Sequence, residues 1–166
     1  MKKQKGFSLI ELLIVVAIIL IIAAIAIPNL LRSRMAANEA SAVGSIRTLN
    51  TAQVTYSTTY ATGFTTLAQL GGAAPCVAAP ATACLIDPVL TAGTKSGYTV
   101  TTVANNGAGT ILAPFLGFEV NATRISASTG TRAFCSDQSA VIRYNTTGAA
   151  IGVGAGACTA VVTILQ

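Results

Sequence analysis

The chain of 166 residues has no histidine, and its five acidic residues, Glu11, Glu39, Asp87, Glu119 and Asp137, are widely scattered. Lacking an imidazole and paired carboxylates, it offers no constellation for acid–base or nucleophilic catalysis, and its abundant Ser and Thr read as strand, turn and surface residues. No phosphate-binding loop is present, so mechanical work driven by nucleotide hydrolysis would belong to other proteins. Glycine is missing between Gly6 and Gly44.

What fills the gap first is an apolar run from Phe7 to Leu31, 25 residues carrying one charge, Glu11, and one proline, Pro28. As a helix it spans a bilayer core of about 30 Å. Lys2, Lys3 and Lys5 precede it, and basic residues stay on the cytoplasmic side, so the expected topology is a single pass with the N-terminus inside and the remainder exported. A carboxylate at the centre of a membrane costs roughly 2.5 to 3.5 kcal/mol even on lenient insertion scales, so Glu11 calls for a partner. The competing reading of Glu11 is a side chain snorkelling to the headgroups.

An ordinary secretory signal places its small-residue cleavage site after the apolar core, whereas here Gly6 stands before it. A cut at Gly6 would leave the helix attached. The segment Lys5-Gly6-Phe7-Ser8-Leu9-Ile10-Glu11-Leu12-Leu13-Ile14-Val15-Val16 closely resembles the N-terminus of type IV prepilins, and of the pseudopilins of type II secretion. The resemblance implies that a prepilin peptidase cleaves after Gly6 and methylates the new amine of Phe7. It also implies that the mature chain polymerises into a helical fibre, with Glu11 pairing with the N-terminal amine of a neighbouring subunit. Cleavage creates the cation that the carboxylate lacks, and removes the three lysines holding the helix end at the membrane surface. Related pilins often bend at the position of Pro28, and proline chemistry predicts a bend or opening around Ala24 to Pro28.

Beyond Leu31 the polarity changes, but helical propensity stays high. Ala42, Ile46, Leu49, Ala52, Tyr56 and Tyr60 recur at spacings of four, three, three, four and four, one apolar stripe on a 3.6-residue period. The helix is predicted to end near Thr59 to Gly63 and its stripe to lie under a sheet. Tyr56 and Tyr60, one turn apart, are expected to pack there rather than to form an electron-carrying stack. Strand patterns follow at Gly97 to Val103, Phe115 to Arg124, Arg132 to Cys135 and Ala140 to Asn145. The expected turns are Asn105-Asn106-Gly107, Ser128-Thr129-Gly130 and Thr146-Thr147-Gly148. The prolines and glycines of residues 71 to 96 argue for irregular structure. The expected fold class is α+β, a long N-terminal helix packed through its second half on an antiparallel sheet of four or so strands. The expected divisions are a leader at 1–6, an apolar assembly helix at 7–31, an amphipathic continuation at 32–62 and a β-rich head at 63–166.

Four cysteines, Cys76, Cys84, Cys135 and Cys158, lie in the part expected to be exported. Three pairings are open; Cys76 with Cys84 and Cys135 with Cys158 is favoured, giving two sequential loops that each contribute on the order of 3 kcal/mol. The second loop resembles the disulfide-bounded C-terminal region of type IV pilins. A zinc site is disfavoured by the absence of histidine and of a CxxC pair. No cofactor or metal is implied: Asp87 and Asp137 could serve a calcium site of the pseudopilin kind, but no local cluster of oxygen ligands accompanies them.

The net charge of +5 falls to +2 once the three leading lysines are removed. Arg124, Arg132 and Arg143 could touch DNA phosphates along a fibre, against the plainer reading of solvated surface charge. By resemblance, then, the chain is a non-enzymatic pilus subunit, held in the inner membrane before assembly and extracellular afterwards, extended and retracted by separate cytoplasmic ATPases. Adhesion, twitching motility and DNA uptake are the roles this implies. The alternatives are a pseudopilin or a minor pilin; a different class, a membrane-anchored binding or enzymatic domain, would keep the Gly6–Phe7 bond and stay monomeric.

Overall fold

A computed structural model describes residues 7–72, 75–152, 154, 156–161 and 163–165. Gly6 and the lysines at 2, 3 and 5 lie outside the described residues. The chain divides into two compact units, Met1–Arg34 and Met35–Gln166.

In the first unit every described residue except Ala23 is exposed, and all of them from Leu9 onward are helical. They form the first part of α1, Leu9–Tyr60. The expected opening at Ala24 to Pro28 is not seen, because helical assignment continues through Pro28. A proline removes a single rung of the ladder, and the rungs on either side keep the helical path.

The second unit holds the β-rich head together with the helical segment it packs on. Its helical part, the remainder of α1, buries Ala42, Ile46, Leu49, Ala52 and Tyr56, while Tyr60 is half-buried at the edge of the same core. This stripe is the one that the 3.6-residue spacing predicts. The helix stops where Ala61 turns to φ 57° and its N–H reaches Ser57 O at 3.2 Å, a left-handed residue that cannot continue a right-handed helix. Gly63 follows with φ 81°, and a Cβ there would lie 2.1 Å from Phe115 O, so only glycine fits.

The sheet has five strands in sequence order: β1 Thr94–Lys95, β2 Tyr98–Asn105, β3 Gly117–Arg124, β4 Ala133–Asp137 and β5 Arg143–Asn145. Every neighbouring pair is antiparallel. The fold is thus a long helix with a C-terminal antiparallel meander, in the α+β class. Val100, Ala122, Phe134 and Tyr144 lie in one cross-strand row through the register Val100↔Ala122, Ala122↔Phe134 and Phe134↔Tyr144. They join Tyr98, Phe118 and Val120 in the core that also holds the helical stripe.

β2 alternates buried and exposed residues over its first half, but β3 and β4 are buried almost throughout. The C-terminal segment covers their outer face, where Ala133, Cys135, Ile151 and Cys158 make a second apolar cluster. A strand covered on both faces loses its period-two signature.

The region 71–96 is more regular than its prolines and glycines suggest. After the short α2, Leu67–Leu70, it contains α3, Pro88–Thr91, and β1. Asp87 accepts the Leu90 N–H at 2.8 Å, and Pro88 occupies the first turn, where its missing donor costs nothing. Proline here starts a helix.

Candidate assembly segment and head

The apolar segment begins with a side-chain helix cap. Ser8 precedes the first helical residue, and Glu11 reaches back to accept the Ser8 N–H at 2.9 Å. Glu11 therefore sits at the third helical position of a Ser-x-x-Glu sequence, the spacing of a capping box, which the chain shows in residues 8 to 11. The carboxylate satisfies a backbone donor of its own chain while carrying a negative charge at the positive end of the helix. Ser8 directly follows Phe7, whose nitrogen is the amine that cleavage after Gly6 would expose. Leu9, Leu12, Leu13, Val16, Ala17 and Leu20 line a shallow wholly apolar groove along this first part of the helix.

In the head, a second carboxylate fastens the helix to the sheet. Glu39 Oε1 accepts from Thr131 N and Thr131 Oγ1, both at 2.7 Å, and from Arg132 N at 3.2 Å. Its Oε2 accepts from Arg132 Nε at 2.8 Å and pairs with Arg132 Nη2 at 2.7 Å. Burial pushes the Glu39 carboxyl up, but the Thr131 and Arg132 hydrogen bonds and the Arg132 charge outweigh it and hold the group below the ordinary carboxylate range. Glu39 had a signal, since it lies three residues before Ala42 and extends the buried stripe by one turn. Asn38 adds a bond from Nδ2 to Thr129 O at 2.9 Å.

Two further polar side chains lie on the buried face of the helix. Gln53 is fully buried and bonds the Thr65 backbone twice, donating to its carbonyl at 2.6 Å and accepting its N–H at 2.9 Å. Asn50 donates to Ser136 Oγ on β4 at 2.9 Å. A sequence pattern built on apolar period alone passes over both.

The outer face of the sheet carries the C-terminal segment. Cys135 on β4 is bonded to Cys158, and Cys76 to Cys84. Beside the first of these bridges Glu119, 1% exposed on β3, accepts the N–H groups of Gly154 at 3.0 Å and Cys158 at 3.1 Å. A buried carboxylate and a disulfide thus hold the same loop from adjacent strands.

The three arginines of the strand region are fasteners rather than free surface charge. Arg124 donates to Gly130 O at 3.1 Å and Thr147 O at 2.9 Å, Arg132 is paired with Glu39, and Arg143 donates to Val161 O at 3.2 Å. Asp87 caps α3 and lies 3.3 Å from Lys95 Nζ; the Leu90 N–H bond, opposed by burial and helped by Lys95, holds its carboxyl below the usual value. Asp137 accepts from Ser139 N and Oγ. Each of these two aspartates closes a local turn, and among the described residues no group of three or more Asp, Glu, Cys or His side chains forms a metal cluster.

Residues 1–27 match the family described as the prokaryotic N-terminal methylation motif. The chain is 64% identical over 39 residues to the type IV wide pilus major component PilA4 of Thermus thermophilus, a stretch covering 24% of this chain and 30% of that protein. It is 46% identical over 54 residues to the type IV major pilin protein PilA of Myxococcus xanthus, covering 32% of this chain and 24% of that one. The chain therefore aligns with less than a third of the length of either relative. No solved structure matches it significantly. Its first 27 residues carry the N-terminal methylation motif, and the chain is recognised as similar to the type IV pilins.

Proposed function

We propose that the chain is a structural subunit of a type IV pilus that polymerises through its N-terminal helix. The observation that carries this reading is the exposed apolar segment from Phe7 to Leu31, headed by the methylation motif and interrupted by the single charge of Glu11. In the reading, residues 1–6 are a leader removed after Gly6, Phe7 becomes the methylated N-terminus, and 7–31 forms the membrane anchor and then the fibre core. Residues 32–62 continue the helix into the head of 63–166. Leaving lipid for neighbouring helices keeps apolar surface away from water at about 25 cal/mol per Å², while the Glu11 carboxylate gains the amine of a neighbour in place of its own Ser8 N–H. Pro28 sits in this core segment, and the Cys76–Cys84 and Cys135–Cys158 bridges staple the exported head.

The partners in this reading are further copies of the chain, the inner membrane before assembly, a prepilin peptidase and a machine with separate ATPases. Adhesion, twitching motility and DNA uptake are the roles open to such a fibre. The DNA role has the least support, because Arg124, Arg132 and Arg143 are engaged within the head.

The test is intact-mass measurement with N-terminal fragmentation on fibres sheared from the producing cells. The expected dominant species begins at methylated Phe7 and is four hydrogens lighter for two disulfides. Processed chain found in the envelope but not in sheared fibres would assign a pseudopilin or minor pilin instead, and an unprocessed Met1 chain would overturn the reading.

A further inference from the structure

The connection between β2 and β3 places aliphatic side chains in solvent on a rigid frame. Leu112 is 98% exposed, Ile111 72% and Leu116 69%. No charged residue occurs from Asn105 to Leu116. The loop holds its shape by its own backbone: Ala108 N donates to Ala113 O at 3.0 Å, Ala113 N to Thr110 O at 3.1 Å, and Leu116 N to Asn106 O at 3.2 Å. Its base is tied to the end of α1, with Phe115 N on Thr62 O and Phe64 N on Phe115 O, both at 3.1 Å. Gly107 and Gly109 have no room for a side chain, since a Cβ would meet Pro114 O at 2.2 Å and the Phe115 ring at 2.5 Å. An apolar tip ordered in advance binds with little further loss of conformational freedom.

The other end of the same strand has an exposed aliphatic residue too. β3 runs from Gly117, beside the tip, to Arg124, and Ile125 just beyond it is 58% exposed. The adjoining turn is tied to the beginning of the head's helical part by the bond from Asn38 to Thr129 O. Asn38 and Tyr60 are about 33 Å apart along the helix axis at 1.5 Å per residue, so the tip and Ile125 lie at opposite ends of the head. A contact between two such ends is heterologous, so repetition of it builds a ring or an open polymer instead of an isologous pair.

We infer that the Thr110–Leu116 tip docks on a second copy of this chain, at the end of the neighbouring head that presents Ile125. The inference rests on the proposed polymerisation. The size of the patch favours this occupant: three aliphatic side chains fall far short of the about 800 Å² per partner that a stable pair buries. Such a contact holds only a partner already brought close by another attachment, and helices packed in a common fibre core supply that proximity.

The experiment uses full-length chain in its producing cells, comparing wild type, Leu112→Ser, Leu112→Met and a chain with the photo-crosslinker p-benzoylphenylalanine at position 112. Loss of one buried leucine contact per subunit predicts sheared-fibre yield down about tenfold for Leu112→Ser, near-normal yield for Leu112→Met, and unchanged thermal unfolding of the head for both. Irradiated fibres are expected to give a crosslink to a second copy within residues 120–135. Normal fibres from Leu112→Ser, or a crosslink to lipid, to another protein, to a different part of the chain or to nothing, overturns the inference while leaving the pilin reading intact. Failure of the wild-type chain to form any fibre defeats the pilin reading itself, and this inference with it.

Discussion

Glu39 on the helix and Arg132 beside β4 meet at 2.7 Å, with Glu39 93 residues earlier in the chain. Between them, and with Thr131, they join the helix to the turn between β3 and β4. Because the Glu39 carboxyl is held below its usual range in the fold, its contribution is present above the unfolded-state value near 4.5 and is lost as pH falls through the lower folded value. Glu39→Ala should destabilise the head by about 2 kcal/mol at neutral pH, the scale of hydrogen bonds to a charged group. It should also flatten the acid limb of the stability curve; denaturant melts at pH 7 and pH 3 check both, and an equal loss at the two values would remove the carboxylate's role.

Tyr98 gives the opposite limb. Burial, and after it the Glu39 charge, push its phenol up to about 12 against the opposing pull of Arg132 and Arg124. The folded state favours the neutral phenol, so the contribution is full below pH 10 and is lost as pH rises from 10 toward 12. Its hydroxyl also donates to Arg132 O at 2.9 Å. Spectrophotometric titration should show a tyrosine ionisation step near pH 12, and Tyr98→Phe should abolish that step.

Glu119 predicts the behaviour of the C-terminal loop. Glu119→Ala removes the acceptor of the Gly154 and Cys158 amides while leaving the Cys135–Cys158 bridge in place. Amide exchange at these two positions should accelerate at least about tenfold, with the β2 and β3 amides unaffected. Unchanged exchange at Gly154 and Cys158 would show that the disulfide alone holds the loop.

At Glu11 two roles can be separated by substitution. Glutamine keeps the capping interaction with Ser8 N–H but carries no charge, whereas alanine loses both. If the charge recruits the amine of a neighbouring subunit, Glu11→Gln and Glu11→Ala should both be cleaved after Gly6 and both yield few fibres. Fibres at wild-type yield from Glu11→Gln would reduce this carboxylate to a helix cap.

The apolar run, the amphipathic stripe from Ala42 to Tyr56 and the main strand segments were legible because each rests on local periodicity. So was the methylation motif, a contiguous pattern around Gly6 and Phe7. Regularity between residues 71 and 96 was not, since a proline that ends one helix begins another when an aspartate precedes it as a cap, as Asp87 does for Pro88. The position of Glu39 on the buried stripe was legible, but what it bonds was hidden, as were the roles of Gln53 and Glu119. Their partners are backbone groups elsewhere in the chain, joined for Glu39 by the Thr131 hydroxyl and the Arg132 guanidinium, and no local spacing records which turn a folded chain will bring to a buried polar side chain.

Sequence by itself determined that this chain has an apolar helix needing lipid or protein around it, because 25 consecutive residues with one charge cannot all be buried in so small a head. It likewise determined the α+β class, through the change of period from 3.6 to two. Tertiary structure decided what the charges do. Arginines that read as solvated surface became ties across turns, two carboxylates became anchors for backbone amides, and the double burial of β3 and β4 followed from where the C-terminal segment lies. The physical reason is that periodicity is a property of neighbours in the chain, whereas the pairing of buried polar groups is settled only when distant segments meet and each donor must find an acceptor.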